Sequence, residues 1–325
     1  RQTADIILDC YKSYFGDKPA KIVDYYFCEG QNAKPPCFEE SFIKELTDNG
    51  IKIGETLKDI KNRVKTTLDK IISTHKKDST VMIVAHGIIC GAILHVLLKD
   101  VNFYDDSRKD TIRFKVGDHC TLEQIEDKWE IVDSSNVISK WLACKITDLW
   151  FPKPGFHKFW FKQDRALDNL ITKKYKWVLD KIKKGSQIFG ESTEEKFAKL
   201  IVCDQFSRNI YRNHPNSFKF DLYALNICKK GLKKSYLKEL DNTDQKMFFI
   251  LPLIHSEKLE DQESAINIAN DELKKHPNFD KILKFFNRHK EIIEMFNRFP
   301  HRNKILNRKS TEKEIAFLKT PFSSF

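Results

Sequence analysis

The chain has 325 residues, 41% hydrophobic and 12% aromatic, which is enough to build real cores and too apolar for a disordered polypeptide. Its net charge of +11, from 57 basic and 46 acidic side chains, gives a mildly basic surface that attracts phosphorylated or nucleic-acid partners at long range. No basic low-complexity tail or nucleic-acid motif accompanies that charge, and apolar runs of about ten residues are half of what a bilayer span needs.

Eight cysteines form no C-x-x-C pair and lie mostly in apolar segments, so reduced thiols are expected rather than a zinc site or a disulfide framework. Reduced thiols favour the cytoplasm, with an organelle matrix such as the mitochondrial one as the alternative. The chain opens on Arg1 and shows no signal-peptide pattern.

Up to about residue 135, strand and helix signals alternate. IVDYYF (22–27) reads as a short strand leading to Cys28 and Glu29. Leu57, Ile60, Val64, Leu68, Ile71 and Ile72 step by three or four and predict one helix face. VMIVA (81–85) is continuous and β-branched, as in a strand buried on both faces, and IICGAILHVLL (88–98) follows as a buried helix. Residues 111–116, 119–125 and 128–133 read as closing strands, the last two joined by a Glu126-Asp127 turn. An α/β sheet is expected.

Beyond Trp141 only helix signals remain, about seven helices in an all-α half, with the boundary near 136–145. Ser192 with Glu195, and Thr311 with Glu314, are capping boxes. Gly185 and Gly231 lie where helices should stop. Phe279, Ile282, Leu283, Phe286, His289, Ile292, Ile293 and Phe296 form a stripe of helical period that Pro300 should end, while Pro252 should kink its own helix.

His86 stands where the VMIVA strand would hand over to a helix, the place where open α/β sheets collect ligands. Gly87 lets the backbone turn there. An imidazole at that point can donate to a phosphate oxygen, and Glu29, after another expected strand, can protonate a leaving alcohol. A core histidine bonded to backbone and a solvated loop glutamate are the alternatives.

The order Gln2-Thr3-Ala4, Glu29, GETLKDIKNRV (54–64) and Val84-Ala85-His86-Gly87 resembles the histidine phosphatase (phosphoglycerate-mutase-like) superfamily over roughly residues 1–135. The resemblance implies Glu29 as general acid and His86 as the late histidine of a phosphate pocket. It also implies an R-H-G motif bearing the histidine that becomes phosphorylated, and clamp arginines. No R-H-G occurs in these 325 residues, and Arg1 abuts Gln2 instead of standing a couple of positions ahead of it. Without the nucleophile the covalent route is closed, so the expectation is that an upstream segment completes the site.

In the second half, IVCDQFSRNIYR (201–212), ILPLIHSEKLEDQE (250–263) and MFNRFPHRNKILNR (295–308) mix core residues with dense polar groups. Arg208, Asn209, His255, Glu257, Arg298, His301, Arg302 and Asn303 are the candidate binding residues. Two arrangements suit them. In one, Asp204, Glu257 and Glu263 pair internally with Arg208, Arg298 and Arg302. In the other, the arginines line a pocket for a carboxylate or phosphate. A His255/Glu257/His301 metal triad lacks the helical H-x-x-x-H spacing, and no metal or cofactor is expected.

Leu149-Trp150-Phe151, Trp160 to Asp164, D-Q-F-x-R-N (204–209), L-P-x-x-H-S-E (251–257), R-F-P-H-R-N (298–303) and a terminal S-S-F are also similar to a largely uncharacterised, mostly bacterial helical family with a TPR-like fold. The expected whole is a partial histidine-phosphatase-like α/β domain (1–138) fused to a TPR-like all-helical domain (145–325). Phosphate-ester binding is its expected function, with hydrolysis only where an R-H-G segment exists upstream. The partners expected are a phosphorylated small molecule or other acidic ligand, and a protein partner or larger complex. The alternative is a catalytically inactive interaction subunit, and a third reading puts a separate activity at the His255/Arg298/His301 cluster.

Overall fold

The computed structural model describes residues 56–75, 79–99, 101–105, 107–108, 110–125, 128–153, 155, 157–240 and 242–324. Gln2-Thr3-Ala4, the expected strand at 22–27 and Glu29 lie outside the described residues. The chain divides into two compact units, Arg1–His119 with Gln124–Trp129 and Cys120–Glu123 with Glu130–Phe325.

In the first unit, α1 (Leu57–Thr74) and α2 (Gly87–Leu98) pack on each other. Thr56 and Asp59 cap α1 reciprocally, each satisfying a backbone N–H of the other. Its buried face is Ile60, Val64, Leu68 and Ile71, the period read in the sequence, and Ile89, Ala92 and Ile93 of α2 meet it together with Phe103. Close seating of α2 explains two glycines. A Cβ on Gly91 would stand 2.5 Å from Phe103 Cβ, and one on Gly87 would stand 2.7 Å from the Phe114 carbonyl oxygen.

VMIVA differs from expectation. Among the described residues it forms no strand and none pairs with it, and Met82 and Val84 are 56% and 43% exposed. Ile83 and Ala85 pack on the α1/α2 core, so the segment buries alternate residues on one face only. Residues 111–115 likewise form no strand, with Ile112 buried. β1 (Cys120–Ile125) and β2 (Lys128–Ser134) form a two-stranded sheet.

From Ser139 onward the described chain is helical: α3 (Ser139–Trp150), α4 (Arg165–Lys183), α5 (Thr193–Ile201), α6 (Ser207–Ile210), α7 (Asp221–Lys233), α8 (Thr243–Ile254), α9 (Leu259–Glu272), α10 (Phe279–Phe296) and α11 (Glu312–Phe317). α5 packs on α3 and α7, α8 on α7 and α9, and α9 on α10. Both expected capping boxes are present, at Ser192 and Thr311. Aromatic rings fill the centre. Trp150 meets Phe159, Phe206 and Phe248 edge-on, and Trp160 donates its indole N–H to the Trp150 carbonyl at 2.9 Å. Among the described residues no helix is long and apolar enough to cross a membrane.

Two stop signals need correction. Gly185 (φ +78°) does end α4, with the Ser186 amide reaching the Lys181 carbonyl at 3.0 Å. Gly231 instead lies inside α7, where a Cβ would stand 2.5 Å from Phe249 Cζ and 2.6 Å from Tyr236 Cδ2. Its role is close packing. α10 stops at Asn297, in the left-handed conformation at φ 53°, three residues ahead of Pro300, which opens a 3-10 turn. α8 carries Pro252 two residues before its end.

Candidate functional site

His86 is the N-cap residue of α2, with extended backbone (φ −72°, ψ 159°), an exposed ring and no side-chain bond to the helix amides. The ring is therefore not the backbone-bonded core histidine that the sequence left open. It stands beside the first amides of α2, which a helix leaves without carbonyl partners and which suit an anion. Glu29 lies outside the described residues, so the pair is not seen together.

In the second unit the polar segments do converge. α5 passes into a π-helical turn, Val202–Phe206, before α6. The turn is buried throughout and turns Asp204 inward, toward the end of α8. His255, the C-cap residue of α8, donates or accepts through Nδ1 at 2.7 Å from Asp204 Oδ1, while Gln205 Nε2 donates to Asp204 Oδ2 at 2.6 Å. Burial alone would raise the Asp204 carboxyl, but His255, Arg208 and these hydrogen bonds outweigh it and hold it down at about 2. Burial pushes His255 down, against the pull of Asp204, so near neutral pH an ionised Asp204 accepts from a neutral imidazole and Nδ1 carries the proton.

Asp221, at the start of α7, was not singled out in the sequence and joins two arginines. Arg208 Nη1 lies 3.0 Å from its Oδ1 and Nη2 donates to Oδ2 at 3.3 Å; Arg302 Nη1 reaches Oδ2 at 3.5 Å. Arg208 also donates to the Asp204 carbonyl. The Arg302 guanidinium stacks over the Phe218 and Phe299 rings at 4.7 and 4.5 Å, and burial lowers it to about 10, leaving it charged. His301 packs beside Phe299, and burial with the Arg302 charge brings it down to about 4. His289 meets Phe299 edge-on, and burial takes it to about 3.

The remaining pairs differ from those expected. Arg298 forks onto Glu314 of α11, with Nε 2.6 Å from Oε1 and Nη2 2.8 Å from Oε2. Glu257 is held by Arg308 at 2.8 and 3.0 Å and by the Phe299 amide at 2.9 Å. Glu263 is half exposed and reaches Lys290 at 3.8 Å, so it joins none of the arginines to which it was assigned. Asn209 belongs elsewhere: its Nδ2 donates to Asp168 of α4 at 2.8 Å, a carboxylate also forked by Arg212. Asn303 is buried and donates to Ser310 Oγ at 3.1 Å.

Arg208, Arg302, Arg298 and Arg308 thus each have a carboxylate, an arrangement that ties helices together. His255 is the exception in chemistry. Among the described residues its Nε2 has no hydrogen-bond partner, and the side chain stays 14% exposed. No group of three or more His, Cys, Asp or Glu side chains that could hold a metal ion occurs among the described residues.

Residues 146–322 match the family described as bacterial protein of unknown function (DUF924), and residues 28–136 match the histidine phosphatase superfamily (branch 1). No curated protein matches the chain. A solved protein of unknown function from Agrobacterium tumefaciens is 29% identical over 55% of this chain and 97% of its own, with a TM-score of 0.49.

Proposed function

The chain belongs to the DUF924 family of bacterial proteins of unknown function, and since it joins that helical half to a histidine-phosphatase-like part, we propose that it binds phosphate esters through the phosphatase-like part. The helical half then acts as a TPR-like module that selects the ligand or a partner chain. The observation that carries this reading is the placement of His86: an exposed ring at the first turn of α2, beside amides that favour an anion. A phosphorylated small molecule or another acidic ligand is the class that such a site recognises, and the net charge of +11 supports its capture.

Two features aid this use. Gly87 brings the start of α2 against the Phe114 carbonyl, where no side chain fits, so the position of His86 is fixed by packing. The imidazole can donate a hydrogen bond to a phosphate oxygen. Transfer of the phosphoryl group requires a nucleophile as well, and by resemblance that is the histidine of an R-H-G segment, which these residues do not include. Binding is the property that His86 supports by itself; hydrolysis follows where such a segment joins the site, with Glu29 as the acid.

Calorimetric titration of the full chain with phenyl phosphate tests this. His86→Ala should weaken binding about tenfold, equivalent to about 1.4 kcal/mol, with an unchanged circular dichroism spectrum. Equal affinity of the variant and the parent would remove His86 from the site.

A further inference from the structure

At least seven histidines in the described residues have ring nitrogens in hydrogen bonds to the protein, and most are used structurally. His276 spends both nitrogens, Nε2 on Asp244 Oδ1 at 2.9 Å and Nδ1 accepting from the Asn278 amide at 2.9 Å. His289 bonds the Phe285 carbonyl from its buried place against Phe299, and His95 bonds the Val101 carbonyl. His255 is held differently: a fully buried carboxylate fixes Nδ1, while Nε2 keeps no partner among the described residues and the ring keeps a window to solvent. The carboxylate is itself set by Gln205 and by the π-helical turn that presents it, a backbone irregularity that recurs at functional sites.

We propose that Asp204 and His255 form a proton-accepting site, in which His255 Nε2 takes the proton of a bound hydroxyl, from water or a small alcohol, for attack on an acyl ester. Asp204 is the positioning residue. It holds the ring in the tautomer with hydrogen on Nδ1, which leaves the Nε2 lone pair available, and it stabilises the imidazolium that forms. In the hydrolytic direction the O–H bond of water breaks and its proton passes to Nε2. The oxygen forms a bond to the acyl carbon, and the ester C–O bond breaks to release the alkoxide. Nε2 then returns its proton to the leaving group or to solvent, so the pair is regenerated. No metal, oxidant or reductant enters.

Burial, with the Arg208 charge and against the pull of Asp204, holds the ring below its ordinary range, so it is present in the neutral form near neutral pH. Arg208 stands against Asp204 and Asp221, so the charge of Asp204 is balanced without spending the free face of the imidazole.

The test uses the full chain and p-nitrophenyl acetate, followed by release of p-nitrophenolate. His255→Gln should lower the rate about a hundredfold, in the range of general-base catalysis. Asp204→Asn should move the pH-rate profile to lower pH as well as reduce its plateau, which a purely structural role would not do. An unchanged rate in His255→Gln overturns the proposal. Should Asp204→Asn fail to fold, nitrogen NMR of the unsubstituted chain decides the point: the proposal requires hydrogen on Nδ1 and an unprotonated Nε2, and a protonated Nε2 at neutral pH overturns it.

Discussion

His255 and His276 are each gripped by an aspartate distant in sequence, yet the two regions are built to opposite ends. Around His276 every polar group is consumed: Asp244 takes the ring and, at 3.3 Å, the Gly155 amide, and the second nitrogen caps the chain at Asn278. Only 5% of that side chain meets solvent. Around His255 the bonding is concentrated on the carboxylate instead, with Asp204 receiving the ring, Gln205 and the Arg208 charge while the outer nitrogen stays unbonded among the described residues. His276 closes both ends of its ring. What sets His255 apart is a buried carboxylate at one end of the ring with the other end unbonded among the described residues, which is the arrangement the proposed base requires.

The strongest way to break this contrast is to remove each carboxylate. Asp204→Ala leaves Arg208 short of one counter-ion and strands His255 and Gln205 in the interior, and it should cost about 3–5 kcal/mol. Asp244→Ala leaves His276 and the Gly155 amide partly unsatisfied and should cost about 1–2 kcal/mol. Urea denaturation midpoints measure both. Equal losses would mean that Asp204 is an ordinary helix tie and that its denser partner set carries no extra stabilisation.

What the sequence disclosed follows from range. The boxes at Ser192/Glu195 and Thr311/Glu314 and the stripe along α10 are written within one or two turns, so their residue types and spacing determine them. His86 was legible as a helix-start residue for the same reason, whereas the burial expected for VMIVA depended on neighbours that a local reading does not contain. Asp204 does meet Arg208, one helical turn away, but the partners of Glu257 and Glu263 differ from those expected because nothing local selects one carboxylate over another. Arg302 meets Asp221 from 81 positions away, and Arg308 meets Glu257 from 51. Composition announced that arginines and acids would pair; only the packing of α7 and α9–α11 decided the partners. Glu314 carried a usable signal, since a capping-box glutamate that is also buried has oxygen valence to spare for an arginine such as Arg298.

Acidification probes the His255 side of the contrast from another direction. His301 and His289 titrate in the folded chain at about 4 and about 3, below the ordinary 6.5, because burial disfavours their charged forms, and His255 is displaced the same way. The native state therefore binds fewer protons than the unfolded chain below pH 6.5. Their contribution is complete above that pH and is lost as pH falls toward 4 and 3. At pH 5 the loss should reach about 2 kcal/mol for each of His289 and His301. Asp204 and Glu314, both held at about 2, add to the loss below about pH 4, in the same direction. Urea midpoints at pH 7 and pH 5 should differ accordingly, and His289→Gln with His301→Gln should flatten the difference. A midpoint independent of pH across that interval would show that these rings are hydrated and not desolvated.

The smallest effect is the sharpest test, because it separates folding from chemistry at the two histidines themselves. His276→Ala removes a donor to Asp244 and an acceptor for the Asn278 amide, so both ends of the ring are missed, at about 1–2 kcal/mol. His255→Gln removes one bond to an aspartate that keeps Gln205 and Arg208, and the other end of the ring had nothing to lose, so about 1 kcal/mol or less is expected. Ester hydrolysis should rank the pair the other way, with the rate falling at His255 and holding at His276. If stability and rate fall together at His255, its ring is one more tie among helices. If they separate, the nitrogen left open is the working end of the pair.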